Sequence, residues 1–494
     1  MKPTISSLPL RERVREREIH IKTVFLCGGS SKRMFPISED KFLLDFLGKP
    51  LLQHQIEMAQ GVGLRDFVIV GNPGNMEKIR RITELFPEIK VEFAVQEEPL
   101  GIADALKRAA PFLQGPVLVV NPNDVFSPSA YSRLAQGVLG VNPNDVFSSR
   151  AYRKIRSDSD KGSDRDLDKG LDTDSDKDSN LSYMLGYQIK EYFPGGYLEV
   201  DSQGDLKHIV EKPNPGEEPS NMVNILLHLH SNPEKVLDYI ESAQTTRDDT
   251  YECALDNMVK DGHRIKVIPY TDFWAPIKYP WHIFKVMEYF LDSAQPYISP
   301  TAHISPTAVI EGKVILGDNV RVLENAVIRG PAYIGLNSVI GNNALVRDYT
   351  HIGANSVVGY STEIKHSYIG DNCWFHSNYI GDSIIDDDCS FGSGAITANF
   401  RLDEENICLE VSGSKIDTGY DKLGAIVGKG CRLGINANLM PGVRVGANSF
   451  VGPHICLDKD LEANKTVLAD TQYRVLDNET KLTQNKRDNL LRSL

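Results

Sequence analysis
The chain has 494 residues, of which 41% are apolar and 24% charged, and it carries a net charge of −13. That length exceeds what one hydrophobic core serves, so two or three domains are expected. The acidic balance leaves no basic excess to displace counterions from a nucleic-acid backbone, and no apolar run reaches the roughly 18 residues of a membrane span.

The first twenty residues are mixed in charge and lack the apolar centre of a signal peptide. Glu12, Glu16 and Glu18 also argue against a transit peptide, so residues 1–20 read as a flexible tail. The seven cysteines show no C-x-x-C spacing, which suggests neither a zinc site nor a disulfide framework and fits a reducing cytoplasm.

From residue 21 to about 290, short apolar runs (23–26, 67–70, 91–95 and 117–120) alternate with helix-like segments at 50–62, 75–86 and 101–110. Pro50 suits the first turn of a helix. Such alternation predicts an α/β domain, Rossmann-like, with a mostly parallel sheet. Ligands of such sheets bind beyond the carboxyl ends of the strands. Three segments fall there: the loop of Gly28 and Gly29 with Arg33 and Lys41, the stretch GNPGN (71–75), and NPNDVF (121–126) with Asp124. A glycine turn followed by cations can direct backbone N–H groups and positive charge at an anion, yet the spacing is neither that of a P-loop nor that of a dinucleotide fingerprint.

VNPNDVFSPSAY (120–131) recurs as VNPNDVFSSRAY (141–152), with ten of twelve residues identical, and an Asp-rich stretch (157–180) follows. We read residues 132–180 as a tandem duplication beside a disordered acidic insert. Asp124 is preferred over its duplicate Asp145 because the apolar run 116–120 precedes it.

Residues 22–290 resemble the sugar-1-phosphate nucleotidyltransferases, whose loop reads roughly (A/G)-G-x-G-T-R-(M/L)-x-P followed by a lysine. Gly29, Arg33, Met34, Pro36 and Lys41 match it. Gln96 and Gly101 in VQEEPLGIADAL, Gly196 in PGGYLEVD, Glu211 and Lys212 in IVEKP, and Asn224 continue the match in order. The resemblance implies a triphosphate loop at Gly28–Gly29 and catalytic cations at Arg33 and Lys41. It further implies pyrimidine reading by Gln96 and Gly101, Mg²⁺ on Asp124, and sugar binding by Gly196, Glu211, Lys212 and Asn224. The substrates would be UTP or dTTP and a hexose-1-phosphate. Ser31 stands where the family has its second loop glycine, and Pro276, in FWAPIKYPW, where it has a second metal-binding carboxylate. Lys278 offers a fixed charge nearby. Trp274 and Trp281 are expected to pack where two domains meet.

From Ile298 to Ile364 an aliphatic residue recurs at every sixth position, twelve times without a miss. That period belongs to neither helix nor strand and predicts a left-handed parallel β-helix of hexapeptide repeats over 296–465. The register slips between His366 and Asp421 and resumes at Val427. A polar tail, 466–494, follows. The β-helix resembles the acetyltransferase half of the bifunctional sugar-1-phosphate nucleotidyltransferase/acetyltransferases, most of all the archaeal type. The resemblance implies His376 as general base, Tyr379 and Asn399 as amino-sugar ligands, and Arg347 and Lys365 as a phosphate- and sugar-contacting pair. Acetyl-CoA would lie near 423–452 at the seam of a homotrimer. Ser390, Glu405 and Cys408 depart from the family's asparagine and lysines. His351 and His366 read as ordinary surface or core histidines. Two other readings stay open: a nucleotidyltransferase with a scaffolding β-helix, and a catalytically inactive nucleotide-sugar-binding subunit.

Overall fold
The computed structural model describes residues 21–139, 181–245, 249–470, 472 and 474–479. The expected N-terminal tail, the duplicate copy with Asp145 and the acidic stretch lie outside them. The helix Ser129–Leu139, however, runs into the segment that the sequence suggested was insert from 132 onward.

A nine-stranded sheet organises the first half. Its centre is parallel, with Lys22–Leu26 between Asp66–Gly71 and Val117–Val120, and Lys90–Val95 beyond Asp66–Gly71. The three central strands are runs of β-branched and aromatic residues buried on both faces, as helix-covered parallel strands must be, whereas Lys90–Val95 at the edge is only partly covered. Helices Leu51–Gly61, Met76–Thr83 and Gly101–Ala109 connect them, and Pro50 caps the first. Met222–His230 then joins antiparallel to Val117–Val120, and Ser182–Gln188 and Gly196–Val200 pair antiparallel with it in turn.

Three parallel stacks of eight, nine and eight short strands form the second half, a left-handed β-helix. The sixth-position residues Leu316, Val322, Ile328, Ile334, Ile340, Val346, Ile352, Val358 and Ile364 are at most 1% exposed and fill its axis. Each contributes roughly 1.5–3 kcal/mol by leaving water. Asparagines dominate the corners with positive φ, among them Asn319, Asn337, Asn355 and Asn372, because asparagine tolerates the left-handed region best among residues with a Cβ. Cys373, Cys389 and Cys431 stack within the core as small apolar side chains.

The coils do not stop at His366. They continue through Ile369, Phe375, Ile380, Ile385, Phe391 and Thr397, all buried. Three corners there are one residue shorter (Ile364 to Ile369, Phe375 to Ile380, Ile380 to Ile385), which slides the pattern without breaking the stack. The real excursion lies between Thr397 and Ile426, where the hairpin Cys408–Val411/Ser414–Asp417 leaves the helix before Ile384–Ile385 pairs with Ile426–Val427. Thr466–Val467 still pairs with Phe450–Val451, so the stack extends into the expected tail.

The helix His282–Ser293 runs past residue 290 and packs the two halves together through Phe284, Met287 and Phe290, with Phe46, Tyr333, Tyr368 and Ile426. Trp281 belongs to this interface. Trp274 does not: it is buried in the first half against Tyr187 and Phe193. His351 stacks between Tyr333 and Tyr368 (4.8 and 4.9 Å), and its Nε2 accepts from the Leu47 N–H at 3.2 Å.

Candidate active sites
The carboxyl edge of the parallel strands gathers the first set of residues. Strand Lys22–Leu26 ends in the Gly28 loop, which Asn75 pins from below. The Asn75 amide donates to the Cys27 carbonyl (3.0 Å) and the Asp40 carboxylate (2.8 Å). Gln96, 2% exposed, donates to the Gly101 carbonyl (3.0 Å) and to Asp104 (2.9 Å). Both amide hydrogens are thereby used, and Oε1 remains as an acceptor beside Gly28. A Cβ on Gly28 would stand 2.1 Å from that oxygen. Gly28→Ala is therefore expected to push Gln96 aside, break its hydrogen bonds to Gly101 and Asp104 and lower the melting temperature, which differential scanning calorimetry would read.

Asp124 opens the short strand Asp124–Phe126, which pairs antiparallel with Trp274–Pro276 and puts Pro276 directly opposite Asp124. Burial raises the Asp124 pKa to about 6, against the lowering effect of Lys278 and Lys41. Lys41 opens a one-turn helix, and burial followed by Arg33 depresses its pKa. Lys278 stands two residues past Pro276, with Nζ 3.0 Å from the Pro194 carbonyl and 3.9 Å from the centre of the Phe193 ring. Its pKa falls to about 8 through burial, with Lys212 and Arg33 adding to the effect and Asp124 opposing it. Thus Lys41 and Lys278 both act on the Asp124 carboxylate, and Arg33 acts on both lysines. No cluster of three His, Cys, Asp or Glu side chains able to hold a metal occurs among the described residues.

Gly196, Glu211 and Asn224 meet beside this cluster. A Cβ on Gly196 would lie 2.9 Å from Glu211 Oε2 and 3.6 Å from Asn224 Cβ, so the glycine keeps a hollow open between them. Lys212 pairs with Glu211 at 2.9 Å at the rim.

A second set converges on one corner of the β-helix. Arg347 pairs with Glu363 at 3.0 Å, and Tyr379 stacks one coil above Glu363. Asn399 donates to the Tyr379 hydroxyl (3.3 Å) and to Asp382. Asp382 is 4% exposed and also bonds Lys365 (3.1 Å) and His366 Nδ1 (2.9 Å), while His366 Nε2 meets Glu288 of the connecting helix at 2.8 Å. His376 is not drawn into this network. It is exposed at a neighbouring corner and bonds through its backbone N–H to Asn378. Asp382 and Glu288 escaped the sequence reading. Asp382 is three residues past Tyr379 and could have been found as a carboxylate within reach of Lys365, but nothing local marks Glu288.

A nucleotidyl transferase family profile matches residues 22–138. The chain is 30% identical over 451 residues to the bifunctional protein GlmU of Methanococcus vannielii, covering 90% of this chain and 96% of that protein. It is 33% identical over 450 residues to GlmU of Methanococcus maripaludis strain C7, with the same coverage. A bifunctional sugar-1-phosphate nucleotidylyltransferase/acetyltransferase from Sulfurisphaera tokodaii is 28% identical over 445 residues, covering 89% of this chain and 98% of that one. This chain therefore belongs to the family of bifunctional GlmU proteins, the sugar-1-phosphate nucleotidyltransferase/acetyltransferases.

Proposed function
We propose that the first site transfers UMP or dTMP from UTP or dTTP to a hexose-1-phosphate, and that the β-helix corner acetylates an amino-sugar-1-phosphate with acetyl-CoA. The observation that carries the first half is the convergence at one sheet edge of the Gly28 loop, Gln96, Lys41, Asp124 and the Gly196–Glu211–Asn224 hollow. Uracil and thymine each present an imide N–H, which suits the free Oε1 of Gln96.

In that transfer an oxygen of the sugar phosphate attacks the α-phosphorus and pyrophosphate leaves. The step needs in-line placement and neutralised charge, not a protein nucleophile. Arg33 and Lys41 hold the phosphates, and Glu211, Lys212 and Asn224 orient the sugar. A single carboxylate among cations suits a Mg²⁺ that arrives with the nucleotide rather than one caged by protein, since Mg²⁺ commonly pairs one or two carboxylates with substrate phosphates. Asp124 would hold it, and the ion would supply further charge neutralisation at the phosphates.

At the β-helix corner the amino nitrogen attacks the thioester carbonyl and the thiol of coenzyme A leaves. His376 takes the amine proton and returns it to the departing thiolate, which leaves as the thiol of coenzyme A. Arg347 and Lys365 contact the phosphate and sugar, and Tyr379 and Asn399 orient the amino sugar. A homotrimer would bring a second protomer's coils, with acetyl-CoA along 423–452, to the exposed His376. Trp374, Ile435 and Phe450 are 51–53% exposed on the β-helix surface, apolar area of the kind such packing covers. Seven free cysteines accord with a reducing cytoplasm, and no helix among the described residues is long and apolar enough to cross a membrane.

The direct test is pyrophosphate release from purified protein with Mg²⁺, UTP or dTTP and a panel of hexose-1-phosphates. Release that depends on one sugar supports the reading; nucleotide binding without release from any pair sinks it. For the second half, His376→Ala is expected to cut thiol release from acetyl-CoA at least a hundredfold and to leave pyrophosphate release unchanged. Undiminished thiol release would remove His376 from the reaction.

A further inference from the structure
Behind Asn224 runs a closed chain of buried polar groups. Asn224 Oδ1 lies 2.7 Å from His228 Nε2, and His228 Nδ1 lies 2.8 Å from the Tyr251 hydroxyl. The same hydroxyl lies 2.7 Å from His230 Nε2, and His230 Nδ1 lies 3.3 Å from the Ser182 hydroxyl. His228, His230, Tyr251 and Ser182 are all 5% exposed or less.

Asn224 presents Oδ1 to His228, and that placement sets the direction of the chain. Burial depresses both imidazole pKa values, His228 well below the ordinary range and His230 to about 4, so each ring is neutral with one donor and one acceptor nitrogen. The Asn224 oxygen only accepts, so His228 Nε2 must donate and its Nδ1 must accept. The Tyr251 O–H then donates to His228, its oxygen accepts from His230 Nε2–H, and His230 Nδ1 accepts from Ser182. All four hydrogen bonds point toward Asn224. Its amide is held oxygen-inward, and its N–H₂ is left for the hollow beside Gly196 and Glu211.

The backbone is shaped to allow this. Residues four apart on a regular strand are separated by about 13 Å, too far for an asparagine to reach a histidine. The ladder between Met222–His230 and Ser182–Gln188 is irregular between Ile225 and His228, and that bulge draws Asn224 and His228 into contact. Bulges commonly re-aim a side chain beside a site. For packing alone, an apolar set of the same volume would serve as well, because buried hydrogen bonds give little net stability.

We propose that His228 and Tyr251 are positioning residues that lock the Asn224 amide with its N–H₂ facing the sugar subsite, making that subsite select a sugar with an oxygen acceptor at this point, a hydroxyl or an acyl carbonyl. The inference rests on the nucleotidyltransferase reading above and adds how its sugar ligand is oriented.

Tyr251→Phe keeps the ring and deletes both central hydrogen bonds. His228→Phe removes the adjoining imidazole and guards against a destabilised first variant. Calorimetry on the full-length protein compares UDP and dTDP, which do not reach the sugar subsite, with UDP-glucose, UDP-N-acetylglucosamine and dTDP-glucose. Both variants are expected to bind the free diphosphates as the wild type does and to lose at least fivefold in affinity for the nucleotide-sugar that the wild type prefers. In the forward reaction KM for the hexose-1-phosphate should rise with kcat within twofold. Equal loss for diphosphate and nucleotide-sugar, or no loss for either, would overturn the positioning role. A wild type that binds none of the five ligands would overturn the nucleotidyltransferase reading and this inference with it.

Discussion

Asp124→Asn is expected to lower pyrophosphate release on the order of a thousandfold, the scale of losing a charged group at a phosphoryl-transfer centre, and at the same time to raise the melting temperature. The two effects have one cause. Asp124 is buried opposite Pro276, and burial outweighs the help of Lys278 and Lys41, so its pKa rises to about 6. A carboxyl that holds its proton more tightly when folded than when unfolded favours folding at low pH. Stability is then lost as pH rises from about 4 to about 6, and the penalty is constant above that. The rise from 3.8 to about 6 corresponds to about 3 kcal/mol. Asparagine cannot ionise and escapes that cost. The variant should therefore melt several degrees above the wild type at pH 7.5, with the difference shrinking to nothing near pH 4. Asp145→Asn is expected to leave both quantities near wild type; equal loss in both variants would mean that the working copy of the duplicated segment was misassigned.

How much of this was legible in the residues depends on how local the signal is. The β-helix is written at every sixth position because each coil repeats the same burial, so Ile298 to Ile364 alone reveal it. The slip after His366 was read as an interruption, since a periodic pattern cannot distinguish three shortened corners from a broken stack; only the pairing of Glu363 with Tyr379 and Trp374 with Ser390 does so. Pro276 stands by resemblance where the family has a second carboxylate; that the same residue lies opposite Asp124 in a two-stranded ladder is visible only in the structure. The polar network under Asn224 was invisible. His228 and Tyr251 carry no motif and meet only because a bulge and a helix 21 to 23 residues downstream bring them together. Trp274 and Trp281, seven residues apart in one segment, end in different cores, which composition could not separate.

Asp382→Ala is expected to reduce thiol release from acetyl-CoA at least a hundredfold and to destabilise the protein by about 3–5 kcal/mol, the usual cost of stranding buried charge. The carboxylate is the hub of its corner. It binds Lys365, His366 and Asn399, and through Asn399 it fixes Tyr379, so three side chains lose their common partner at once and a fourth loses its support. Lys365 would then lose its carboxylate, and His366 would keep only Glu288. The pH dependence identifies this mechanism. Burial alone would lower the His366 pKa, but its hydrogen bonds to Asp382 and Glu288 raise it to about 9. Because the folded value lies above the ordinary 6.5, the stabilisation is fully present below about pH 6.5 and is lost as pH climbs through 9. Wild-type stability should therefore decline across that window, whereas Asp382→Ala should show a much flatter profile and its deficit should narrow toward pH 9.5. Glu288 belongs to the helix that begins four residues after Lys278, so the same measurement reaches across the interface. Glu288→Gln should reproduce part of the flattening while leaving Lys365 and Asn399 on Asp382. If it lowers thiol release as much as Asp382→Ala does, the corner depends on its tie to the nucleotidyltransferase half. If it lowers stability alone, Asp382 by itself orders Lys365 and Asn399, and the helix serves only to hold the two halves together.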